Sequence, residues 1–147
     1  FLLGFEASGP QGSLPALMTR DCVLPVLAVL LAAQGGPVSA RVAREPAVVT
    51  AADRLQDIPL ALSQRLISSL VDSKDARDAF LSELGVRETA LDLSDGVRMH
   101  LAHGAVLHIR PSGNAPELRV YVEAKDRPTA QDLLTRTIAV LRTALGS

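Results

Sequence analysis

The stretch HIRPSGNAPELRVYVEA, residues 108–124, decides the fold because it places two apolar runs on either side of a short turn. Pro, Ser, Gly and Asn are the residues that bend a backbone between such runs. The segment therefore predicts an antiparallel hairpin. Arg110 ends its first strand and Arg119 begins its second.

An anion cradle is the other interpretation of the same turn. A hairpin would bring both guanidinium groups to one end of the sheet, facing one loop. In that loop Ser112 offers a hydroxyl, Gly113 lets backbone N–H groups approach a ligand, and Asn114 can adopt positive φ or donate through its amide. These are the donors that a phosphate needs, although a plain turn has the same composition.

The segments on both sides of this hairpin predict one complete α+β domain over residues 46–147. Four strands are expected, at 89–93, 97–101, 105–110 and 118–124. Their connections SDG, AHG and PSGNAPE are so short that they can only join antiparallel neighbours. Helices are expected in the apolar pattern after residue 59, in DSKDARDAFLSELG and in RPTAQDLLTRTIAVLRTAL. We therefore expect a four-stranded antiparallel sheet with helices on one face.

Capping signals mark the ends of two of these helices. Asp72 or Ser73 can cap the helix of DSKDARDAFLSELG, and Gly85 can end it. The last helix has Pro near its first turn, followed by a capping pattern from Thr129 to Asp132.

The first 45 residues predict only the end of another domain. FLLGF is expected to form a buried strand, EASGPQGS a loop, and residues 21–34 a helix that stops at GGP. That helix is apolar on nearly all sides and needs cover all round. We interpret residues 1–45 as the end of an α/β domain and the chain as a fragment of something longer. In isolation, helix 21–34 is expected to fold back on the chain or to self-associate.

Composition disfavours several classes of partner. Fifteen Lys and Arg against sixteen Asp and Glu leave a formal net charge of −1, so no global field draws the chain to nucleic acid or to an anionic membrane. Aromatic residues make up 3% of the chain, and Tyr121 is the only one in the four strands, which argues against a nucleic-acid stacking platform. The longest apolar run, residues 22–33, is too short to cross a bilayer. The single cysteine, Cys22, favours a reducing compartment, and we expect the cytoplasm.

No metal site is predicted. His100, His103 and His108 have no accompanying Cys or carboxylate set, and His100 and His108 fall on different strands. The Asp95–Gly96 pair lacks the repeated carboxylates that a hard divalent ion prefers and suits a hairpin turn instead.

The run from Arg110 to Arg119 resembles the phosphate-binding loop in the C-terminal domain of the α-D-phosphohexomutases, the phosphomannomutase and phosphoglucomutase family. The usual form in that family is Arg-x-Ser-Gly-Thr-Glu-Pro followed by Arg. This chain has Asn114 and Ala115 where Thr and Glu are common. Asparagine can replace the donor role of Thr, whereas Ala removes an acid.

A second resemblance lies near the start of the chain. GFEASG, residues 4–9, is similar to the sugar-recognition loop of the family's third domain. By this resemblance, Glu6 and Ser8 would contact hexose hydroxyls.

The resemblance implies a TATA-box-binding-protein-like fold for residues 46–147 and a role in moving phosphate between the 1- and 6-positions of a hexose, through a hexose 1,6-bisphosphate. The residues that it assigns to phosphate binding are Arg110, Ser112, Gly113, Asn114 and Arg119. The family's phosphoserine loop and its Asp-Gly-Asp-Gly-Asp loop for Mg²⁺ do not occur in these 147 residues. The resemblance therefore implies no catalytic residue here, with Mg²⁺ held by the remaining domains of the same enzyme.

Three alternatives stay open at this point. A phosphoglucosamine mutase or an N-acetylglucosamine-phosphate mutase would share these motifs. A stand-alone regulatory module that binds sugar phosphates would also carry the loop. A four-stranded sheet with helices could instead bind nucleic acid, although charge and aromatic content argue against this.

Overall fold

The computed structural model of the chain describes residues 7–9, 12–14, 23–45 and 47–146. The chain divides into two compact units, Phe1–Pro46 and Ala47–Ser147. The predicted strand FLLGF, and with it Glu6 and Cys22, lies outside the described residues. None of the helices in the described ranges combines the length and the apolar character that a membrane span requires.

The first unit contains two short paired strands followed by two helices. Strand β1 (Ala7–Gly9) pairs antiparallel with β2 (Gly12–Leu14), so that Ser8 lies opposite Ser13. The prediction of a loop over EASGPQGS was therefore wrong in part.

Helix α1 (Val23–Ala33) occupies the segment predicted as helix 21–34. It ends where Gln34 and Gly35 adopt φ values of 50° and 76°, and the short helix α2 (Val38–Val42) follows Pro37. Exposed apolar side chains cover much of α1, namely Val23, Val26, Leu27, Val29, Leu30 and Leu31.

The second unit is built on a five-stranded antiparallel sheet with the strand order β3-β7-β6-β5-β4. The strands are β3 (Val49–Leu55), β4 (Glu88–Asp92), β5 (Val97–Leu101), β6 (Val106–Pro111) and β7 (Leu118–Ala124). The four predicted strands are confirmed, but the predicted count was wrong because the fifth strand, β3, was not expected. The inward alternation of Val49, Ala51 and Leu55 is interrupted by the exposed Asp53, and such a charge is typical of edge strands.

Helices α3 (Leu60–Asp72), α4 (Lys74–Glu83) and α5 (Arg127–Leu145) complete this unit. Helix α5 packs against β3 and β7, and α3 packs against β5 and β6. The strands bury one face beneath these helices, as the alternation of β7 shows: Leu118, Val120, Val122 and Ala124 are buried. The residues between them are half-buried and lie on the opposite face of the sheet. The predicted α+β fold with helices on one face is confirmed.

The helix caps agree with the prediction at α4 and differ at α5. Ser73 Oγ accepts a hydrogen bond from the Ala76 N–H at 3.1 Å. The cap of α5 is Asp126, whose Oδ1 accepts from the Thr129 N–H at 2.8 Å. The predicted Thr129–Asp132 capping pattern was wrong because the helix already begins at Arg127.

Replacing Asp126 with alanine is expected to lower the Tm of the chain by a few degrees at pH 7, because the first turn of α5 loses its cap. The hydrogen bond from the Thr129 N–H lowers the pKa of Asp126 below its usual value. The stabilisation is therefore fully present above an unfolded-state pKa of about 3.9 and is lost as the pH falls through the lower folded-state pKa. Thermal melts at pH 7 and pH 2.5 test this, with Asp126→Asn as the control that keeps a capping oxygen. An equal Tm difference at both pH values would contradict the prediction.

Thr137 of α5 is fully buried, and its Oγ1 has no hydrogen-bond partner among the residues that the structure describes. Thr137→Val keeps the shape and removes the unsatisfied hydroxyl, so we expect it to stabilise the fold by about 1 kcal/mol. Chemical denaturation measures the change. Thr143→Val, at an exposed position of the same helix, is the control and should change stability by less than about 0.5 kcal/mol. A loss of stability in Thr137→Val would contradict this account.

Candidate functional site

Three arginines lie side by side on the face of the sheet opposite the helices. Arg110 of β6 is the register partner of Arg119 of β7, and Arg119 is in turn the partner of Arg54 of β3. Register partners in antiparallel strands have Cα atoms about 4.5–5.5 Å apart and place their side chains on the same face. The predicted hairpin is therefore present, and it brings Arg110 and Arg119 together as expected. The sheet adds a third guanidinium from a strand distant in sequence.

Two carboxylates partly neutralise this row. Glu117 Oε1 lies 3.4 Å from Arg54 Nη1, and Glu117 Oε2 lies 3.3 Å from Arg119 Nη2. Asp95 Oδ2 lies 3.3 Å from Arg110 Nη1. Three guanidinium groups against two carboxylates leave the row one positive charge in excess.

Tyr121 contacts Arg110, the arginine at the β6 end of the row. Arg110 Nη2 donates a hydrogen bond to the Tyr121 hydroxyl at 3.5 Å, and Arg110 Cζ lies 5.7 Å from the ring centroid. The hydrogen bond to Tyr121 raises the pKa of Arg110, and partial burial opposes this shift. The His108 ring also stacks on the Tyr121 ring, with centroids 5.6 Å apart. His108 Nε2 lies 2.5 Å from the Asp95 carbonyl oxygen. Arg110 is thus a fixed and permanently charged donor.

The Asp95–Gly96 turn, predicted as a plain turn, also shapes this site. Gly96 has a φ of 77°, and a Cβ there would lie 2.6 Å from the Ile109 carbonyl oxygen and 2.7 Å from Arg110 Cβ. Only glycine allows this approach. The turn therefore brings the Asp95 carboxylate next to Arg110.

A backbone hydrogen bond joins the two ends of the loop between β6 and β7, whereas residues in its middle are exposed. The Ser112 N–H donates to the Glu117 carbonyl at 2.9 Å, and the Asn114 N–H points to Ser112 Oγ at 3.4 Å. Ser112 is buried, whereas Gly113 and Asn114 are exposed. Gly113 lacks a positive φ, and a Cβ on it would meet nothing within 4 Å. Neither the backbone nor its neighbours require glycine here, but close approach of a ligand would.

The structure brings some of the predicted site residues together and leaves others apart. Arg110 and Arg119 are register partners in the second unit, and Ser112, Gly113 and Asn114 lie in the loop that joins their strands. Ser8 belongs to β1 in the first unit, and Glu6 lies outside the described residues. Within the described ranges, no three His, Cys, Asp or Glu side chains form a group that could hold a metal ion.

Three charged members of this surface were missed by sequence reasoning: Arg54, Asp95 and Glu117. Arg54 was missed because strand β3 was not predicted. The apolar alternation of Val49, Ala51 and Leu55 is the pattern that could have indicated this strand. A concave surface of about 440 Å³ is lined by Ala52, Asp53, Arg54, Arg119 and Tyr121. Two arginines of the row, Arg54 and Arg119, therefore line a depression of ligand size.

Clustered guanidinium groups beside exposed loop amides are the donors that proteins use for phosphate and carboxylate ligands. The fold and this surface define an α+β domain equipped for an anionic ligand. The chain belongs to the phosphoglucomutase/phosphomannomutase family, since residues 38–140 match its C-terminal domain. The TATA-box-binding-protein-like fold that the resemblance implied is the fold of this domain.

Relatives of the chain carry names from the same family. It is 41% identical to a phosphomannomutase of Sinorhizobium fredii and 36% identical to one of Salmonella muenchen, over 98% and 99% of its own length. A phosphoglucosamine mutase of Thioalkalivibrio sulfidiphilus is 30% identical over 97% of the chain. The chain spans 33% and 30% of the lengths of the two phosphomannomutases. It thus corresponds to the C-terminal part of phosphohexomutases, which are isomerases of carbohydrate metabolism.

Proposed function

We propose that this chain binds the phosphate of a hexose phosphate for a phosphomannomutase or phosphoglucomutase activity. The observation that carries the proposal is the pairing of Arg110 with Arg119 next to the exposed loop at Gly113 and Asn114. Two planar guanidinium groups and the backbone N–H groups of an exposed loop are donors that match the oxygens of a phosphate dianion.

In the proposed reaction, phosphate moves between the 1- and 6-positions of a hexose by way of a hexose 1,6-bisphosphate. Arg110, Ser112, Gly113, Asn114 and Arg119 hold the phosphate that is not being transferred. This fixed contact keeps the sugar oriented while its other end reacts. The domain contributes binding and orientation, and the transfer chemistry belongs to other domains of a longer enzyme.

We assign Mg²⁺ to those other domains as well. The described residues offer no group of three metal-ligating side chains, so no step at this site depends on the ion. Where it is bound, Mg²⁺ would offset the negative charge of the phosphate being transferred. We further propose a cytoplasmic location, where sugar phosphates are available to the enzyme.

For residues 1–45 we propose the end of a sugar-recognition domain, with Glu6 and Ser8 directed to hexose hydroxyls. The exposed apolar side chains of α1, such as Leu27 and Leu30 at 49% and 53% exposure, support a helix that is covered in longer relatives. In the 147-residue chain alone, a second copy would supply that cover. Sedimentation velocity at several concentrations tests this, and a strictly monomeric species at all of them would contradict self-association.

Phosphate binding at the loop is tested by NMR titration of the chain with mannose 6-phosphate. We expect the amide signals of Ser112, Gly113 and Asn114 to shift, and Arg110→Gln to suppress the shifts. Mannose without phosphate is the matched ligand control. Loop amides that stay unmoved while signals elsewhere shift would overturn the assignment.

A phosphoglucosamine mutase is the second candidate, because relatives of that name match 97% and 52% of the chain at 30% and 38% identity. The higher identities over nearly the whole chain favour the phosphomannomutases. Comparing the affinities for mannose 6-phosphate and glucosamine 6-phosphate in a full-length enzyme would separate the two.

A further inference from the structure

We propose that Arg54 is a third phosphate-binding arginine of this site, and this inference rests on the proposed function. Arg54 is the register partner of Arg119, which pairs on its other side with Arg110. The three side chains therefore start from adjacent positions on three neighbouring strands and share one face of the sheet.

The charge arrangement is the first argument for a ligand. Like charges directly opposite each other on paired strands destabilise a sheet, and here two such pairs occur in one row. Glu117 offsets part of the cost by contacting both Arg54 and Arg119, at 3.4 Å and 3.3 Å. Because Glu117 is shared, neither guanidinium has a carboxylate of its own. An arriving phosphate dianion would supply the missing charge.

The shape of the surface is the second argument. Arg54 and Arg119 line the same concavity of about 440 Å³, together with Ala52, Asp53 and Tyr121. The Arg54 side chain is 54% exposed, so it can turn toward a ligand without unfolding the strand. A charge whose only task is to protect an edge strand would not need a neighbouring arginine or a shared concavity.

The position of β3 gives Arg54 a distinct role. Arg110 and the loop at Gly113 approach a bound phosphate from the β6 side of Arg119, whereas Arg54 approaches from the β3 side. With glutamine at position 54, the row would hold two guanidinium groups against two carboxylates and lose its excess positive charge.

The test is the affinity of the 147-residue chain for inorganic phosphate at pH 7.5, measured by NMR titration with Arg54→Gln, Arg54→Lys and Arg65→Gln variants. We expect Arg54→Gln to raise Kd about tenfold, the scale for a lost charge-assisted hydrogen bond. Arg54→Lys should recover part of the affinity because it restores the charge without the fork. Arg65 is exposed on α3 and has no ion pair within the described part of the chain, so Arg65→Gln should bind like the wild type.

Arg110→Gln separates this inference from the proposed function. Weakened binding in Arg110→Gln together with unchanged binding in Arg54→Gln would overturn the role of Arg54 alone. Unchanged binding in both variants, or no binding by the wild type, would overturn the proposed function and the inference with it. Thermal melts of each variant check the fold, and a Kd raised in Arg54→Gln only together with a lost transition would count against direct binding.

Discussion

Arg77→Ala is expected to lower the free energy of unfolding by about 3–5 kcal/mol, the scale for removing one partner of a buried ion pair. Arg77 Nε donates to Glu88 Oε2 at 2.8 Å, and the two side chains are only 9% and 10% exposed. Arg77 Nη1 also donates to the Leu70 carbonyl at 2.8 Å, at the end of α3. The substitution leaves a buried carboxylate and a helix-end carbonyl without this donor. Urea denaturation followed by circular dichroism measures the loss.

Two further variants identify the cause of that loss. Arg65→Ala removes an exposed arginine from the neighbouring helix α3 and should change stability by less than about 0.5 kcal/mol. The double variant Arg77→Met with Glu88→Leu should recover much of the loss, because apolar side chains of similar volume often replace a buried pair at little cost. A double variant as unstable as Arg77→Ala would show that the pair itself is not responsible.

Arg110→Ala is expected to lower kcat/KM by about 30- to 1000-fold in an enzyme of its relatives' full length that carries this domain. This range corresponds to about 2–4 kcal/mol, the scale for truncating a charged and partly desolvated contact. The Arg110 fork is fixed by Tyr121 and Asp95, so little reorganisation can compensate for its loss. Steady-state kinetics with mannose 1-phosphate as substrate measure the effect.

Arg98→Ala is the matched control, since Arg98 lies on the neighbouring strand β5 and pairs with Glu123 at 3.0 Å. We expect a change in kcat/KM of less than about threefold for this variant. Equal losses in both variants would mean that the effect is general to the sheet, which would count against a phosphate contact at Arg110.

The segment around residues 108–124 determined much of the domain by itself. Pro, Ser, Gly and Asn between two apolar runs require a turn, and a short turn requires antiparallel neighbours. The same local chemistry predicted the Ser73 cap of α4, since a cap depends only on residues three positions apart. The two arginines of the hairpin could likewise be placed together, because nine positions of sequence separate them.

Only the tertiary structure decided the rest of the arginine row. Strand β3 has a weak pattern because Asp53 interrupts its alternation, and its partner β7 lies more than sixty residues away in the chain. The register that sets Arg54 against Arg119 joins two strands that both pack against α5, and no local pattern expresses such a non-local pairing. Asp95 and Glu117 reach the arginines for the same reason, since each lies in a turn whose direction depends on the sheet. Local propensity thus determined the hairpin and its loop, whereas non-local strand pairing decided which charges meet there.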